Sequence, residues 1–142
     1  MAKLVFRRSV NADCWVTLLG DGTSSLSPVP DPPEPTPPVR SGSSGIAINA
    51  RCFDFGKVRL EIWAGDRGEL KEQWTTIFDG DLEARSHGLR AGTAYYPVFR
   101  LDVSPGRYRV RAEVTRDRNG YVDAVRFIFP ESADLRGEAL NQ

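Results

Sequence analysis

Three runs of alternating apolar and polar side chains in the C-terminal half constrain the fold of this chain more than any other feature. They cover residues 99–103, 107–115 and 121–129. Successive side chains of a strand point to opposite faces of a sheet, so a period of two indicates strands that are buried on one face. Short turn sequences separate the runs, with Ser-Pro-Gly at 104–106 and Asn-Gly at 119–120. We therefore expect a three-stranded antiparallel meander over residues 95–129.

The rest of the chain repeats this pattern in shorter form. Turn sequences separate further apolar runs at 14–19, 46–55, 57–63 and 74–78. No heptad pattern and no long run with helical periodicity interrupts the series. Short strands at this spacing predict an all-β fold, an antiparallel β-sandwich of jelly-roll-like form with about eight strands. We assign residues 1–130 to this single domain and residues 131–142 to a polar C-terminal tail.

One segment departs from strand character. Seven of the ten prolines fall between positions 28 and 38, and serines and glycines flank them. Proline cannot donate a backbone hydrogen bond to a neighbouring strand and favours polyproline II. We expect residues 24–45 to form a long loop inserted between two strands. Two P-x-x-P sequences, at 32–35 and 35–38, leave open whether this loop also docks into an aromatic groove of another protein.

The charge balance argues against some classes of partner. The chain has 19 basic and 19 acidic residues, so its net charge gives no general attraction to nucleic acid or to an anionic membrane. No apolar run approaches the roughly 18 residues that a membrane-spanning helix needs. Residues 1–8 are too short and too interrupted for a signal peptide. We therefore expect a cytoplasmic protein with no membrane contact.

The two cysteines, Cys14 and Cys52, both lie in apolar runs that are typical of strands. In a cytosolic protein we expect them to be buried free thiols, because a free cysteine packs as a small apolar residue. A disulfide that fixes the N-terminal strand is the alternative. The spacing of the cysteines does not decide between the two.

Candidate catalytic residues are few. His87 is the single histidine and follows Ser86 in a turn-like segment. A serine or cysteine nucleophile would need this histidine as its base, and one histidine excludes a zinc site built from several imidazoles. We expect no cofactor and no enzymatic activity.

The outward face of the expected meander is rich in arginine. Five arginines alternate with apolar residues and should project together from adjacent strands. They are Arg100, Arg107, Arg109, Arg111 and Arg126. Guanidinium groups bind carboxylates through paired hydrogen bonds, so this arginine-rich face is suited to an acidic protein surface. Asp102 and Glu113 interrupt its positive charge, which argues against nucleic acid and leaves open an ordinary solvated sheet face.

A second interpretation is a binding module for carbohydrate or another small ligand. Aromatic rings form platforms for sugars, and Trp63, Tyr95 and Tyr96 are the candidates. Calcium, which prefers six to eight oxygen ligands, could assist at two acidic segments whose composition is also typical of ordinary turns. The candidate calcium ligands are Asp79, Asp81, Glu83, Asp117, Asn119 and Asp123.

The sequence Leu-Asp-Val-Ser-Pro-Gly-Arg-Tyr-Arg-Val at 101–110, preceded by residues 74–84, resembles the competence-protein J family. The likeness extends over residues 57–129. Members of that family are small intracellular β-proteins that inhibit a DNA-entry nuclease, so the resemblance implies a β fold and an inhibitory role. Together with the arginine-rich face, it leads us to expect a non-enzymatic intracellular protein-binding domain, an inhibitor or immunity-type partner of another protein.

Overall fold

The computed structural model describes residues 2–12, 14–20, 39–42, 45–65, 73–84, 88–93 and 96–140. Within these ranges the chain forms eleven β-strands and one short 3-10 turn, Phe53–Phe55. The strands are β1 (Lys3–Val10), β2 (Trp15–Gly20), β3 (Val39–Gly42), β4 (Gly45–Asn49), β5 (Val58–Ala64), β6 (Thr75–Ala84), β7 (Leu89–Thr93), β8 (Pro97–Asp102), β9 (Gly106–Arg116), β10 (Val122–Phe129) and β11 (Arg136–Ala139). None of the described segments is a helix long and apolar enough to cross a membrane.

The strands form two sheets. The first sheet has the order β1-β5-β10-β9-β6, and the second has the order β11-β8-β7-β2-β4-β3. Paired strands are antiparallel except β5 and β10, which run parallel. The expected all-β, mostly antiparallel sandwich is confirmed, with eleven strands in the described residues where about eight were expected. Its jelly-roll-like form stays a prediction.

The apolar faces of the two sheets meet in one core. Leu60 and Phe127 from the first sheet and Leu18 from the second are fully buried in it. Where β1 meets β8, the rings of Phe6 and Phe99 lie 4.4 Å apart between centroids. Burying these faces needs both sheets, which is why the alternating pattern recurs along most of the chain.

The expected meander over residues 95–129 is wrong in one of its three strands. β9 and β10 form the predicted antiparallel hairpin. β8 instead lies in the second sheet, between β7 and β11. The Ser-Pro-Gly segment at 104–106 therefore carries the chain from one sheet to the other. Alternation indicates which residues are buried, but both sheets of a sandwich bury their inward faces in the same core, so the pattern does not specify the sheet.

The acidic segment at 79–81 is also not a turn. β6 continues through it as a strand of ten residues. The ring of Phe78 covers Gly80, since a Cβ added to Gly80 would lie 3.0 Å from a carbon of that ring. Gly80 therefore makes room for aromatic packing inside the strand rather than ending it.

Both segments that were expected to lack strands contribute one. Residues 39–42 of the expected 24–45 loop form β3, which pairs with β4 as a hairpin. The P-x-x-P sequences lie outside the described residues. Residues 136–139 of the expected polar tail form β11, antiparallel to β8, and Leu135 before them is buried in the core. All four residues of β11 are exposed, so this strand lacks the apolar alternation that would predict it.

Candidate partner-binding surfaces

The five arginines of the expected arginine-rich face do not share one accessible surface. β9 places Arg107, Arg109 and Arg111 on the outer face of the first sheet. Arg100 belongs to β8 in the second sheet, where its Nη2 lies 2.6 Å from Glu138 Oε1 of β11. Arg126 of β10 is only 3% exposed. The expectation that all five project together is therefore wrong for Arg100, which lies in the other sheet, and for Arg126, whose surroundings are buried.

The three arginines of β9 face three carboxylates of β6, and we call this set the charged ladder. Its cross-strand pairs are Asp79 with Arg111, Asp81 with Arg109, and Glu83 with Arg107. Arg109 Nε donates a hydrogen bond of 2.6 Å to Asp79 Oδ1, and this bond is the main reason that the pKa of Asp79 lies below its usual range. Opposite charges thus alternate across this part of the face, which favours strand pairing.

The centre of the same face holds a buried ionic cluster. Its buried members are Glu61, Glu113 and Arg126, and the partly exposed Arg7, Arg59 and Arg111 reach the two carboxylates from the rim. Glu113 accepts hydrogen bonds from Arg126 Nε at 2.6 Å and from Arg111 Nε at 3.0 Å. The indole ring of Trp74 lies over the Arg126 guanidinium, with 4.2 Å between the ring centroid and Cζ. The ring covers one side of the guanidinium and so shields it from solvent. Arg126 is therefore buried beneath Trp74 instead of projecting from the sheet.

Glu61 is the second carboxylate of the buried ionic cluster and is 2% exposed. It accepts hydrogen bonds from Trp63 Nε1 and Arg59 Nε, each at 2.7 Å, and from Arg7 Nε at 3.2 Å. Burial by itself raises the pKa of Glu61, but the Trp63 hydrogen bond and the two arginines outweigh it and hold the pKa below the ordinary value of 4.5. Glu61 is therefore charged at neutral pH.

We expect Glu61→Gln to lower the free energy of unfolding by about 1–3 kcal/mol at pH 7, because charge-assisted hydrogen bonds become neutral ones. A carboxyl group with a lowered pKa stabilises the fold above its unfolded pKa and loses this contribution as the pH falls through the folded pKa. The gap between the two proteins should therefore narrow as the pH falls below 4.5. Urea unfolding at pH 7, 5, 4 and 3 measures it, and a gap independent of pH would contradict the assignment.

The same contacts bear on the carbohydrate interpretation. Trp63 is 7% exposed and donates its indole N–H to Glu61, so its ring is not an open platform. Tyr95 lies outside the described residues. Tyr96 is 57% exposed, and its backbone N–H donates to Thr93 Oγ1 at 3.1 Å. The burial of Trp63 counts against a sugar site built on these three residues.

Cys14 and Cys52 form a disulfide, so the expectation of two free thiols is wrong and the alternative holds. The bond joins the β1–β2 turn to the segment after β4, where Ala50 N–H also donates to Cys14 O at 2.9 Å. Cys14 has a φ of 71°, a left-handed conformation that is uncommon for residues other than glycine. Disulfides are typical of oxidising compartments, so this bond gives no support to the cytoplasmic location, which stays a prediction.

Two aromatic side chains are exposed next to each other on loops at this end of the sandwich. Phe55 ends the 3-10 turn and is 54% exposed, and Tyr121 precedes β10 and is 43% exposed. Their rings stack, with 4.8 Å between centroids and 28° between planes. We call them the exposed aromatic pair. Together they present a flat apolar surface on loops, where binding residues are often found.

Arg51 ties together the two loops that carry the exposed aromatic pair. Its Nε donates to Lys57 O at 2.9 Å, and its backbone N–H donates to Val122 O at 3.1 Å. Its Nη1 donates to Asp117 Oδ2 at 3.2 Å, while Asp117 Oδ1 accepts the backbone N–H of Tyr121 at 3.1 Å. The pair is therefore held in place before any partner arrives.

The second set of expected calcium ligands is engaged in this turn. Asp117 Oδ1 also accepts the backbone N–H of Asn119 at 2.9 Å, and Asp123 Oδ1 accepts a hydrogen bond of 2.6 Å from Thr115 Oγ1. Burial raises the pKa of Asp117, but the hydrogen bonds from the two backbone N–H groups and from Arg51 outweigh it and lower the pKa. Among the described residues, no group of three or more His, Cys, Asp or Glu is arranged to hold a metal ion. The donors that already engage Asp117 and Asp123 count against a calcium site in this turn.

The exposed aromatic pair was missed from the sequence. Phe55 falls at the end of the 46–55 run and Tyr121 at the start of the 121–129 run, so the pattern assigned both to strands. The signal that was available in the sequence is their context, because Gly56 follows one and Gly120 precedes the other. In the structure both glycines have positive φ. Glycines are typical of turns that need positive φ, so a glycine next to each aromatic residue indicates that the strand has ended there.

No protein-family description and no curated protein matches this chain. Two solved structures share its fold. The crystal structure of ComJ from Bacillus subtilis, described as an inhibitor of the DNA-degrading activity of NucA, matches with a TM-score of 0.63 and 10% identity over 92% of this chain and 98% of that one. The protein described as crocagin biosynthetic gene J matches with a TM-score of 0.52 and 11% identity over 93% and 99%. The expected resemblance to the competence-protein J family is confirmed for the fold.

Proposed function

We propose that this chain is a non-enzymatic protein-binding domain that inhibits a protein partner by covering part of its surface. The observation that carries the proposal is the exposed aromatic pair, Phe55 and Tyr121, on two loops that the hydrogen bond between Arg51 and Asp117 holds together. The fold is shared with ComJ, which is described as an inhibitor of another protein. This likeness supports an inhibitor-type role without identifying the partner.

The energetics of protein interfaces support this choice of contact. A small number of well-placed side chains, with aromatics prominent among them, contribute most of the binding free energy of a typical interface. Large aromatic residues are usually buried, but about half of the surface of Phe55 and of Tyr121 is exposed. Because their loops are already fixed by the Arg51–Asp117 ion pair, binding would cost little additional conformational entropy.

The charges around the aromatic pair favour a partner with an acidic surface. Lys57, Arg116 and Arg118 are exposed on the two segments that carry the pair, and Asp54 is exposed in the 3-10 turn before Phe55. Asp117 is engaged by Arg51 and adds little negative potential. Basic side chains around an apolar centre steer and orient an acidic partner. Arg107 and Arg109 of the charged ladder are exposed as well and remain a second candidate contact.

The test uses a photo-activated phenylalanine analogue at position 55 to cross-link the partner in a native extract, followed by its identification and purification. Binding is then measured by calorimetry, and inhibition by the partner's own activity. We expect Phe55→Ala and Tyr121→Ala each to weaken binding about 30-fold, which is the loss typical of a central aromatic contact. Inhibition should weaken in parallel.

Two variants serve as controls in this experiment. Leu4→Ala removes an apolar side chain that is 37% exposed. Leu4 lies at the end of β1 that is remote from Phe55, so this substitution should leave the dissociation constant unchanged. Arg107→Glu/Arg109→Glu tests the charged ladder separately. Equal affinity of all variants, or no protein cross-linked at position 55, would refute the proposed contact. A partner that binds without losing activity would refute inhibition.

A further inference from the structure

A polar depression of about 470 Å³ lies on the outer face of the first sheet, beside the buried ionic cluster. Six polar residues line it, namely Arg59, Gln73, Thr75, Thr115, Arg116 and Asp123. They come from the start of β5, the start of β6 and the segment before it, the end of β9 and the start of β10. Such a volume accommodates a ligand larger than a single ion.

Two buried hydrogen-bond donors belong to residues that lie next to the lining residues without lining the polar depression themselves, and neither donor has an acceptor among the described residues. They are Arg126 Nη1 and Trp74 Nε1. Arg126 is two residues from the lining residue Ala124 on the same face of β10, and Trp74 lies between the lining residues Gln73 and Thr75. A buried donor without an acceptor is costly, so a pair of them beside a cavity indicates that an acceptor is missing.

The charges of the lining indicate what kind of acceptor fits. Arg59 and Arg116 contribute two positive charges, of which that of Arg59 is shared with Glu61 at 2.7 Å, and Asp123 is the one carboxylate among the described lining residues. Asp123 already accepts a hydrogen bond from Thr115. Guanidinium and indole N–H groups around a polar cavity favour a negatively charged oxygen, for which charge-assisted hydrogen bonds are the strongest available.

We infer that the polar depression binds an oxyanion, a carboxylate or phosphate group, between Arg59 and Arg116 and against the N–H groups of Trp74 and Arg126. The inference goes beyond the proposed inhibitor function, because anion binding at this site can be measured without any protein partner, although Arg116 lies both in its lining and on the segment that leads to Tyr121. The oxyanion could belong to a free anion or to the acidic side chain of a peptide. The choice of titrant distinguishes these two sources.

The experiment titrates the whole protein at low ionic strength with inorganic phosphate in one arm and with amide-capped N-acetylglutamate in the other. Binding is followed by the backbone amide shifts of Thr75 and Thr115 in nitrogen-15 NMR. Asp123→Asn removes the lining carboxylate and should tighten binding about fivefold, while Gln73→Glu adds one and should weaken binding about fivefold. Trp74→Phe keeps the ring over Arg126 but removes its donor, and it should weaken binding of both titrants.

Asp79→Asn is the matched control, because it removes an exposed carboxylate from the same face outside the polar depression. We expect it to leave binding unchanged. Saturable binding in either arm with these opposite effects supports the site, and the arm that binds identifies the source of the anion. If neither titrant saturates even the Asp123→Asn protein, or if Asp79→Asn tightens binding as much as Asp123→Asn, the inference is wrong.

Discussion

Glu113→Ala is expected to lower the free energy of unfolding by about 3–5 kcal/mol, the cost of removing one partner from a buried ion pair. Arg126 is 3% exposed and donates to Glu113 through Nε at 2.6 Å, and the Trp74 ring lies over its guanidinium. Without Glu113 this charge stays buried and uncompensated, because the strand pairing of β10 holds Arg126 inside the cluster. Urea unfolding followed by far-UV circular dichroism measures the change.

Two further variants separate this effect from a general loss of charge. Asp79→Ala removes an exposed carboxylate from the same sheet, where Arg109 turns to solvent, so the urea midpoint should stay close to that of the unchanged protein. Glu113→Leu/Arg126→Met removes both buried charges and should recover most of the stability lost in Glu113→Ala. Equal midpoints for Glu113→Ala and Asp79→Ala would show that the cluster is not buried in solution.

The alternating pattern predicts the phase of the strands but not their sheet. Tyr108, Val110 and Val114 pack towards the core as expected, and β9 pairs with β10 through the predicted turn. The assignment of β8 to the same sheet was wrong because its inward residues, such as Leu101, enter the same core from the other side. Local alternation is a property of one strand, whereas sheet membership depends on hydrogen bonds to strands far away in sequence.

The candidate sites depend still more on distant contacts. The arginines of β9 point outward as predicted. Whether the centre of that face is exposed or covered depends on Trp74, whose ring covers Arg126 although the two residues are far apart in sequence. The exposed aromatic pair depends on the hydrogen bond between Arg51 and Asp117, which are 66 residues apart in sequence. The alternating pattern implies that the outer face of a sheet is exposed to solvent. It therefore predicts neither the covered centre of the first sheet nor the contact between the two loops that carry the exposed aromatic pair.

Reduction of the Cys14–Cys52 disulfide is expected to lower the free energy of unfolding by about 4 kcal/mol. The bond closes a loop with a sequence separation of 38 residues, and the loss of chain entropy in the unfolded state for a loop of that length has this magnitude. Urea unfolding with and without reductant measures the difference. Cys14→Ser/Cys52→Ser should match the reduced protein and should not respond to reductant.

The disulfide also connects stability to the proposed contact with a partner. Phe55 N–H donates to Cys52 O at 2.9 Å, so the cysteine that forms the bond also holds the turn that carries one ring of the exposed aromatic pair. Reduction should therefore increase proteolytic cleavage within residues 50–57 while the β9–β10 hairpin stays protected, since local opening needs less free energy than global unfolding. Mass spectrometry of brief digests identifies the cleavage sites. If the urea midpoint falls but residues 50–57 stay uncut in the folded reduced protein, Arg51 alone is sufficient to hold the loop, and the disulfide acts only on the unfolded chain.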